Sequence, residues 1–149
     1  MSGTNPLNIV KLKTGSIYEE KRCYSRAVVV DNWVLVANTA GRHYASREMS
    51  TDPVEQARQC FANIEGSLNA VGVGLSDIVR ARIAVPFAEH KEAIMEVVAE
   101  KFRGIDPAST ITATPLASPD YLVEIEVTAY RGAGAAAVEY RRVNLSEPA

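Results

Sequence analysis

The sequence predicts an α+β fold: one mixed sheet with two helices packed on a single face. Three observations lead there. Two β-branched runs flank a turn pair, which makes a hairpin over residues 27–37. Two amphipathic stretches, 53–71 and 88–102, each lead into a strand-like segment. And two helices cannot cover both faces of a sheet of that size, so they sit together on one.

Taken in chain order, residues 27–30 form the first strand, Asp31 and Asn32 the turn, and residues 33–37 the second strand. A polar loop over 38–51 carries Gly41, Arg42, His43 and Tyr44. In the helix that follows, Asp52 is the expected N-cap. Pro53 takes the first helical position, and Glu55 completes a capping-box pattern. Val54, Ala57, Phe61, Ile64, Leu68 and Val71 recur at spacings of three and four as its apolar stripe, and Gly72 ends it. Residues 78–85 alternate. Val79, Ala81, Ile83 and Val85 are expected on the core face, with Arg80 and Arg82 opposite. The second helix spans about 88–102, with Ile94, Val98 and Phe102 inward and Gly104 as its stop. A strand near 110–114 and a strong strand over 122–130 complete the order β-β-α-β-α-β-β. Residues 1–134 are expected to form one domain. Residues 135–149 read as an extension, either an edge strand or a flexible arm.

The chain has 149 residues, 47% of them hydrophobic, enough for one domain with a real core. A formal charge of −2 and no Lys/Arg cluster argue against nucleic acid as the main partner. No apolar run approaches the ~20 residues of a membrane helix, and residues 1–15 lack an apolar signal core, so a cytoplasmic protein is expected. The two cysteines, Cys23 and Cys60, have neither disulfide-framework nor metal-site spacing. No metal or other cofactor is expected.

In the last strand, Val123, Ile125, Val127 and Ala129 should face the helices. Leu122, Glu124, Glu126, Thr128 and Tyr130 then share the other face. That face is too apolar for plain surface and too charged for core, the pattern of a subunit interface with a polar site inside it. A carboxylate there can orient a water or move a proton, and the plainer alternative is two acids salt-bridged to Arg80 and Arg82. His43 follows Arg42 in a loop after a strand end, where sites often lie, and His90 reads as a solvated residue of the second helix. There is no phosphate loop, Cys/His cluster or nucleophile elbow.

Four stretches, in this order and spacing, resemble the reactive-intermediate deaminase (Rid, or YjgF) family. They are Tyr24-Ser25-Arg26-Ala27-Val28-Val29-Val30; Gln56-Ala57-Arg58-Gln59 with Asn63; Leu68-Asn69-Ala70-Val71-Gly72 with Leu75-Ser76-Asp77-Ile78-Val79; and Tyr121-Leu122-Val123-Glu124-Ile125-Glu126. The resemblance covers roughly residues 15–130. It implies a fold like bacterial chorismate mutase, a homotrimer with inward-turned sheets, and three ligand sites between subunits. It also implies a cofactor-free hydrolysis of enamines and imines to a ketone and ammonia. The iminium carbon is already electrophilic, so the protein need only bind the substrate and hold a water against it.

Carried over residue by residue, the resemblance puts the water-positioning glutamate at Glu124 and a pocket-lining aromatic at Tyr24. A Ser-Gly pair at the end of the second hairpin strand falls on Ala37-Asn38. The residue whose backbone amide helps hold a substrate carboxylate falls on Thr110, and the substrate-clamping arginine falls on Ala108. An arginine–carboxylate contact is worth about 1.5–3 kcal/mol, so its absence changes what the site accepts. Arg42 is the candidate to replace it. The resemblance thus implies either a deaminase-like hydrolase with an altered clamp or a trimeric ligand-binding protein without the activity. Ribonuclease chemistry fits least, given the acidic balance and the lack of a His pair.

Overall fold

A computed structural model describes Gly3 and residues 5–146. Six strands form one sheet in the order β1-β2-β3-β6-β4-β5. They are β1 (Ile9–Leu12), β2 (Ala27–Val30), β3 (Trp33–Ala40), β4 (Ile78–Ala84), β5 (Ala108–Thr112) and β6 (Glu124–Tyr130). All neighbours are antiparallel except β4 and β5, whose connection runs through a helix and returns in parallel. The long helices α2 (Pro53–Ala70) and α3 (Lys91–Phe102) pack against each other on one face, with Phe61 and Phe102 edge to face at 5.3 Å. Between them and the sheet lies the core. Ala57, Ile64, Leu68, Ile94, Ala81, Ile83, Val123, Ile125 and Ala129 are each at most 1% exposed. Burial of this order, at about 25 cal/mol per Å2, is the main force holding helices to sheet.

Helix α2 starts where the sequence places it. Asp52 accepts from Val54 N at 2.8 Å and Glu55 N at 3.0 Å. The capping box itself is not closed by Glu55, because the Asp52 amide donates to Ser50 Oγ at 3.0 Å instead. At the other end Val73 N donates to Leu68 O and Gly72 N to Asn69 O, with Gly72 at φ +79°, so a Schellman motif stops the helix. Arg131 caps the remaining carbonyls, donating to Val71 O and Gly72 O.

Four expectations need correction. First, β1 and the short helix α1 (Ile17–Lys21) come before the hairpin. Strand β1 is an edge strand with three exposed residues of four, so its ordering comes from pairing with β2 and not from an apolar face. Second, β3 runs to Ala40, so residues 38–40 are strand and not loop. Third, Ile78 and not Val79 points inward at the start of β4. The register skips one residue between Ile78 and Arg80, and this bulge inverts the pleat. Fourth, β5 runs from Ala108 to Thr112, two residues ahead of the predicted bounds, and β6 begins at Glu124, two residues late, while ending at Tyr130 as expected. Residues 88–90 form a 3-10 turn that leads into α3.

After a short 3-10 turn (Ala133–Ala135), residues 136–146 carry no regular secondary structure, and no strand forms there. Among the described residues, their one long-range side-chain hydrogen bond is Tyr140 Oη donating to Asp106 at 2.8 Å.

Candidate functional site

Strand β6 alternates as its sequence requires. Val123, Ile125, Val127 and Ala129 are at most 1% exposed, and the intervening residues lie on the face away from the helices. On that face Glu126 is about half exposed and lies 3.9 Å from Arg82. Glu124 differs: the residue is only 9% exposed. Burial raises the pKa of its carboxyl group, and the opposing pull of the Arg26 guanidinium only partly offsets that rise. Register puts Glu124 beside Ala40 on one side and Ala84 on the other, so neither neighbouring strand covers it with a long side chain.

Strand β3 is irregular opposite Glu126, the next outward-facing residue of β6. Val36 pairs with Val127 but Thr39 pairs with Ile125, so β3 carries one extra residue between them. This β-bulge falls on Ala37-Asn38, and it returns Thr39, at 1% exposure, to the interior while Asn38 stays exposed. In a regular strand successive carbonyls point opposite ways. Here Ala37 O and Asn38 O both accept from Nη1 of Arg26, at 3.5 and 2.9 Å, and Thr39 Oγ1 accepts at 3.2 Å.

Arg26 is the residue that sequence reasoning missed. It is 7% exposed, one place ahead of β2. Its backbone is pinned on both sides, donating to Leu12 O and accepting from Ala37 N. Its Nη2 donates to Tyr24 Oη at 3.3 Å, and the guanidinium lies 5.6 Å from the Tyr24 ring centre. The only sequence signal was position: a charged residue joined to a pocket aromatic, directly before an apolar strand.

Three further groups surround this cluster. Glu19 of α1, fully buried, accepts from the amide and the hydroxyl of Thr14, which ties the first loop to the site. Tyr44 presents a buried hydroxyl with no partner among the described residues, and burial raises its pKa while Arg26 opposes the rise. Cys60 of α2 points at Thr39 O and Val123 O, and burial drives its thiol pKa strongly upward, assisted by the Glu124 charge.

Gln56 fixes the approach to Glu124. Wholly buried in the first turn of α2, its amide donates to Ser50 O at 2.7 Å and Asp120 O at 2.9 Å, and its carbonyl accepts from Leu122 N at 2.9 Å. The same turn leaves no room at Gly41, where an added Cβ would lie 2.7 Å from Gln56 Cα.

The remaining candidates lie elsewhere. Arg42 donates to Arg47 O at 2.7 Å and lines a cleft of about 340 Å3 whose other wall carries Leu122 and Asp120. His43 closes the turn of its own loop, accepting from Ser46 N at 3.1 Å. His90 is half-buried and not solvated, edge-on to Phe87 at 5.7 Å. Ala108 and Thr110 sit on edge strand β5, in register with Arg80 and Arg82, and Arg80 donates to Thr110 Oγ1 at 2.9 Å. Level with Glu124 across β4 is Thr112, so within one chain neither Ala108 nor Thr110 comes alongside the glutamate. Tyr24, Ala37 and Asn38 converge on the Arg26 guanidinium. Among the described residues no group of three His, Cys, Asp or Glu is placed to hold a metal ion, and no helix is long and apolar enough to cross a membrane.

The comparisons with known proteins agree with this fold. The family profile described as Endoribonuclease L-PSP matches residues 14–131. The solved structure of Rv2704 from Mycobacterium tuberculosis, a member of the YjgF/YER057c/UK114 family, is 34% identical. It superposes with a TM-score of 0.76 over 83% of this chain and 99% of that one. A 2-iminobutanoate/2-iminopropanoate deaminase of Dermatophagoides farinae is 32% identical over 69% of this chain and 81% of its own length. The Rid-family protein YyfA of Yersinia pestis, 22% identical, shares the fold at a TM-score of 0.74, covering 83% of this chain and 99% of that one. With a profile match over residues 14–131 and a 34% identical solved structure of the same fold, the chain belongs to the Rid (YjgF) family.

Proposed function

We propose that this protein hydrolyses a small imine or enamine to a carbonyl compound and ammonia, with Glu124 as the catalytic residue. The observation that carries the reading is Glu124 itself: a largely buried carboxylate whose proton affinity is raised, beside a built cation. Such a group takes a proton from water more readily than an exposed acid. Water held against Glu124 adds its oxygen to the C=N carbon while its proton passes to the carboxylate. Starting from the protonated imine, the carbinolamine that results receives that proton on nitrogen, and as the C–N bond breaks its hydroxyl proton passes back to Glu124, releasing ammonia and leaving the carbonyl. No electron acceptor or donor is required.

Tyr24, Ala37, Asn38 and Thr110 line the substrate side in this reading, with Ala108 where relatives would place a clamping arginine. Site assembly needs a second copy of the chain, because Ala108 and Thr110 stand away from Glu124 within one sheet. The free sheet face supports that association. Trp33, Leu35 and Tyr130 expose 48, 47 and 37% of their surface on it, beside charged residues, as an interface would. We therefore take the working form to be a homotrimer with small-molecule sites between subunits. The single domain extends to about residue 134, and the extension beyond it lies outside the site.

With Ala108 in place of a guanidinium, substrates lacking an α-carboxylate are favoured over 2-iminopropanoate. The test is ammonia release from a panel of freshly generated imines, both carboxylated and neutral. Turnover of neutral imines above carboxylated ones is expected. Introducing arginine at Ala108, and separately at Ser109 on the opposite pleat, should restore the carboxylated substrates. No ammonia from any member of the panel would favour the second reading, a ligand-binding protein without turnover.

A further inference from the structure

We propose that residues 136–146 form an arm that pairs with strand β1 of a second copy of this chain and clasps the assembled subunits together. The arm lies wholly past residue 131, where the family match ends. It holds neither glycine nor proline, and its large apolar residues come as two alternating pairs, Val138 with Tyr140 and Val143 with Leu145. That is strand patterning. Yet all four residues are 67–87% exposed, and no strand forms there. A run of this kind left open to water is a strand that lacks its neighbour.

Strand β1 lacks a neighbour too. Asn8 O and Leu12 O accept from Asp31 N and Arg26 N on the β2 side. Backbone groups alternate along an antiparallel strand, so the amides and carbonyls of Ile9 and Lys11 point to the open edge. The edge is also apolar on both faces. Val10, level with buried Val29, shares the helix face and Ile9 takes the other, and both are exposed, as is Leu7 just ahead of them. An added strand would pair the free backbone groups and cover side chains on both faces at once, which is how extended segments dock on sheet edges.

Direction and reach decide which copy supplies that strand. Gly134 N donates to Asp77, directly ahead of β4, and Tyr140 Oη then donates to Asp106, two residues ahead of β5. The arm therefore runs outward across the end of the sheet, towards the β5 edge and away from β1. It meets β5 there without forming a ladder with it. Strand β1 is the opposite edge, five strand spacings or about 24 Å from β5. Val143 stands at most about 11 Å of chain beyond Tyr140, so the arm does not lie on its own β1. An arm at one edge and its acceptor at the other make a head-to-tail contact, the kind that closes into a ring. The proposal rests on the homotrimer reading above and on no catalytic assignment.

The test places the photo-cross-linker p-benzoylphenylalanine at Val143 of the full chain. Irradiation should give a covalent dimer on a denaturing gel, and mass spectrometry should find the link in the peptide carrying residues 7–12. Products confined to one chain, or no product, overturn the proposal. Analytical ultracentrifugation gives an independent reading. A chain ending at Ala135 should keep its far-UV circular dichroism but dissociate with a constant raised about tenfold or more. Lys11→Pro removes an amide on the open edge and leaves the bonds to β2, so it should weaken assembly in the same direction. Together the two changes should cost no more than the larger one alone, because they break the same contact. An unchanged dissociation constant in the shortened chain overturns the arm and leaves the homotrimer standing, whereas a full chain that is monomeric at every concentration overturns both.

Discussion

The sheet holds two carboxylates on the same face of the same strand, two residues apart, and treats them in opposite ways. On its β4 side, regular pairing sets Glu126 beside Arg82, open to water, at a loose 3.9 Å, while on the β3 side it faces the bulge. Two residues away, Glu124 pairs with Ala40 beyond the bulge and with Ala84 on the other side, and it is only 9% exposed. The residue type is identical in the two places, and only the surroundings separate a solvated surface acid from a candidate catalytic one.

The comparison breaks most sharply in turnover. Glu124→Gln is expected to lower kcat on the true substrate by ~10²-fold or more with the fold retained, whereas Glu126→Gln should stay within about twofold. Equal losses for the two variants in steady-state ammonia release would erase the distinction. Next in size is Gln56, which holds the chain ahead of Glu124 through three buried hydrogen bonds. Gln56→Ala should cost about 2–3 kcal/mol in urea denaturation, mostly from the polar groups it strands.

A pH experiment sharpens the contrast further. A carboxyl whose pKa is raised by folding stabilises the fold only while protonated, and that contribution is lost as pH rises through the ordinary carboxylate range towards the raised value. Ionised Glu124 is therefore a burden at neutral pH. Glu124→Gln should melt at a higher temperature than wild type at pH 7, with the gap closing towards pH 4. A loss of stability at pH 7 would mean that attraction to Arg26 outweighs burial. The smallest effect belongs to the middle of the sheet. Arg82→Ala should change stability by less than about 0.5 kcal/mol, as expected for an exposed pair, and differential scanning calorimetry should barely detect it.

Much of this fold was legible because its signals are local. Asp52, Pro53 and Gly72 mark the two ends of α2, and the alternation from Val123 to Ala129 names the core face of β6 without error. The losses have a common cause in context. Strand β1 buries no face, so its order comes only from pairing with β2, and no periodicity records that. The bulges near Val79 and at Ala37-Asn38 invert the pleat in mid-strand, and nothing in composition marks where a register slips. Glu124 could be singled out because its position matches a family pattern. Arg26 could not, because its importance lies in carbonyls 11 and 12 residues away that only the bulge turns towards it.

The burial of Cys60 also gives the molecule an internal clock. Its sulfur lies under α2 against Thr39 O and Val123 O, with its thiolate strongly disfavoured, while Cys23 is exposed. With only two cysteines in the chain, a thiol reagent meets one at once and the other only when helix and sheet part. The slow phase of labelling therefore measures how often the glutamate end of the sheet opens, in the native protein and without denaturant. Ligand seated beside Glu124 would lengthen it, so occupancy of the site becomes readable as a labelling rate before any substrate is known.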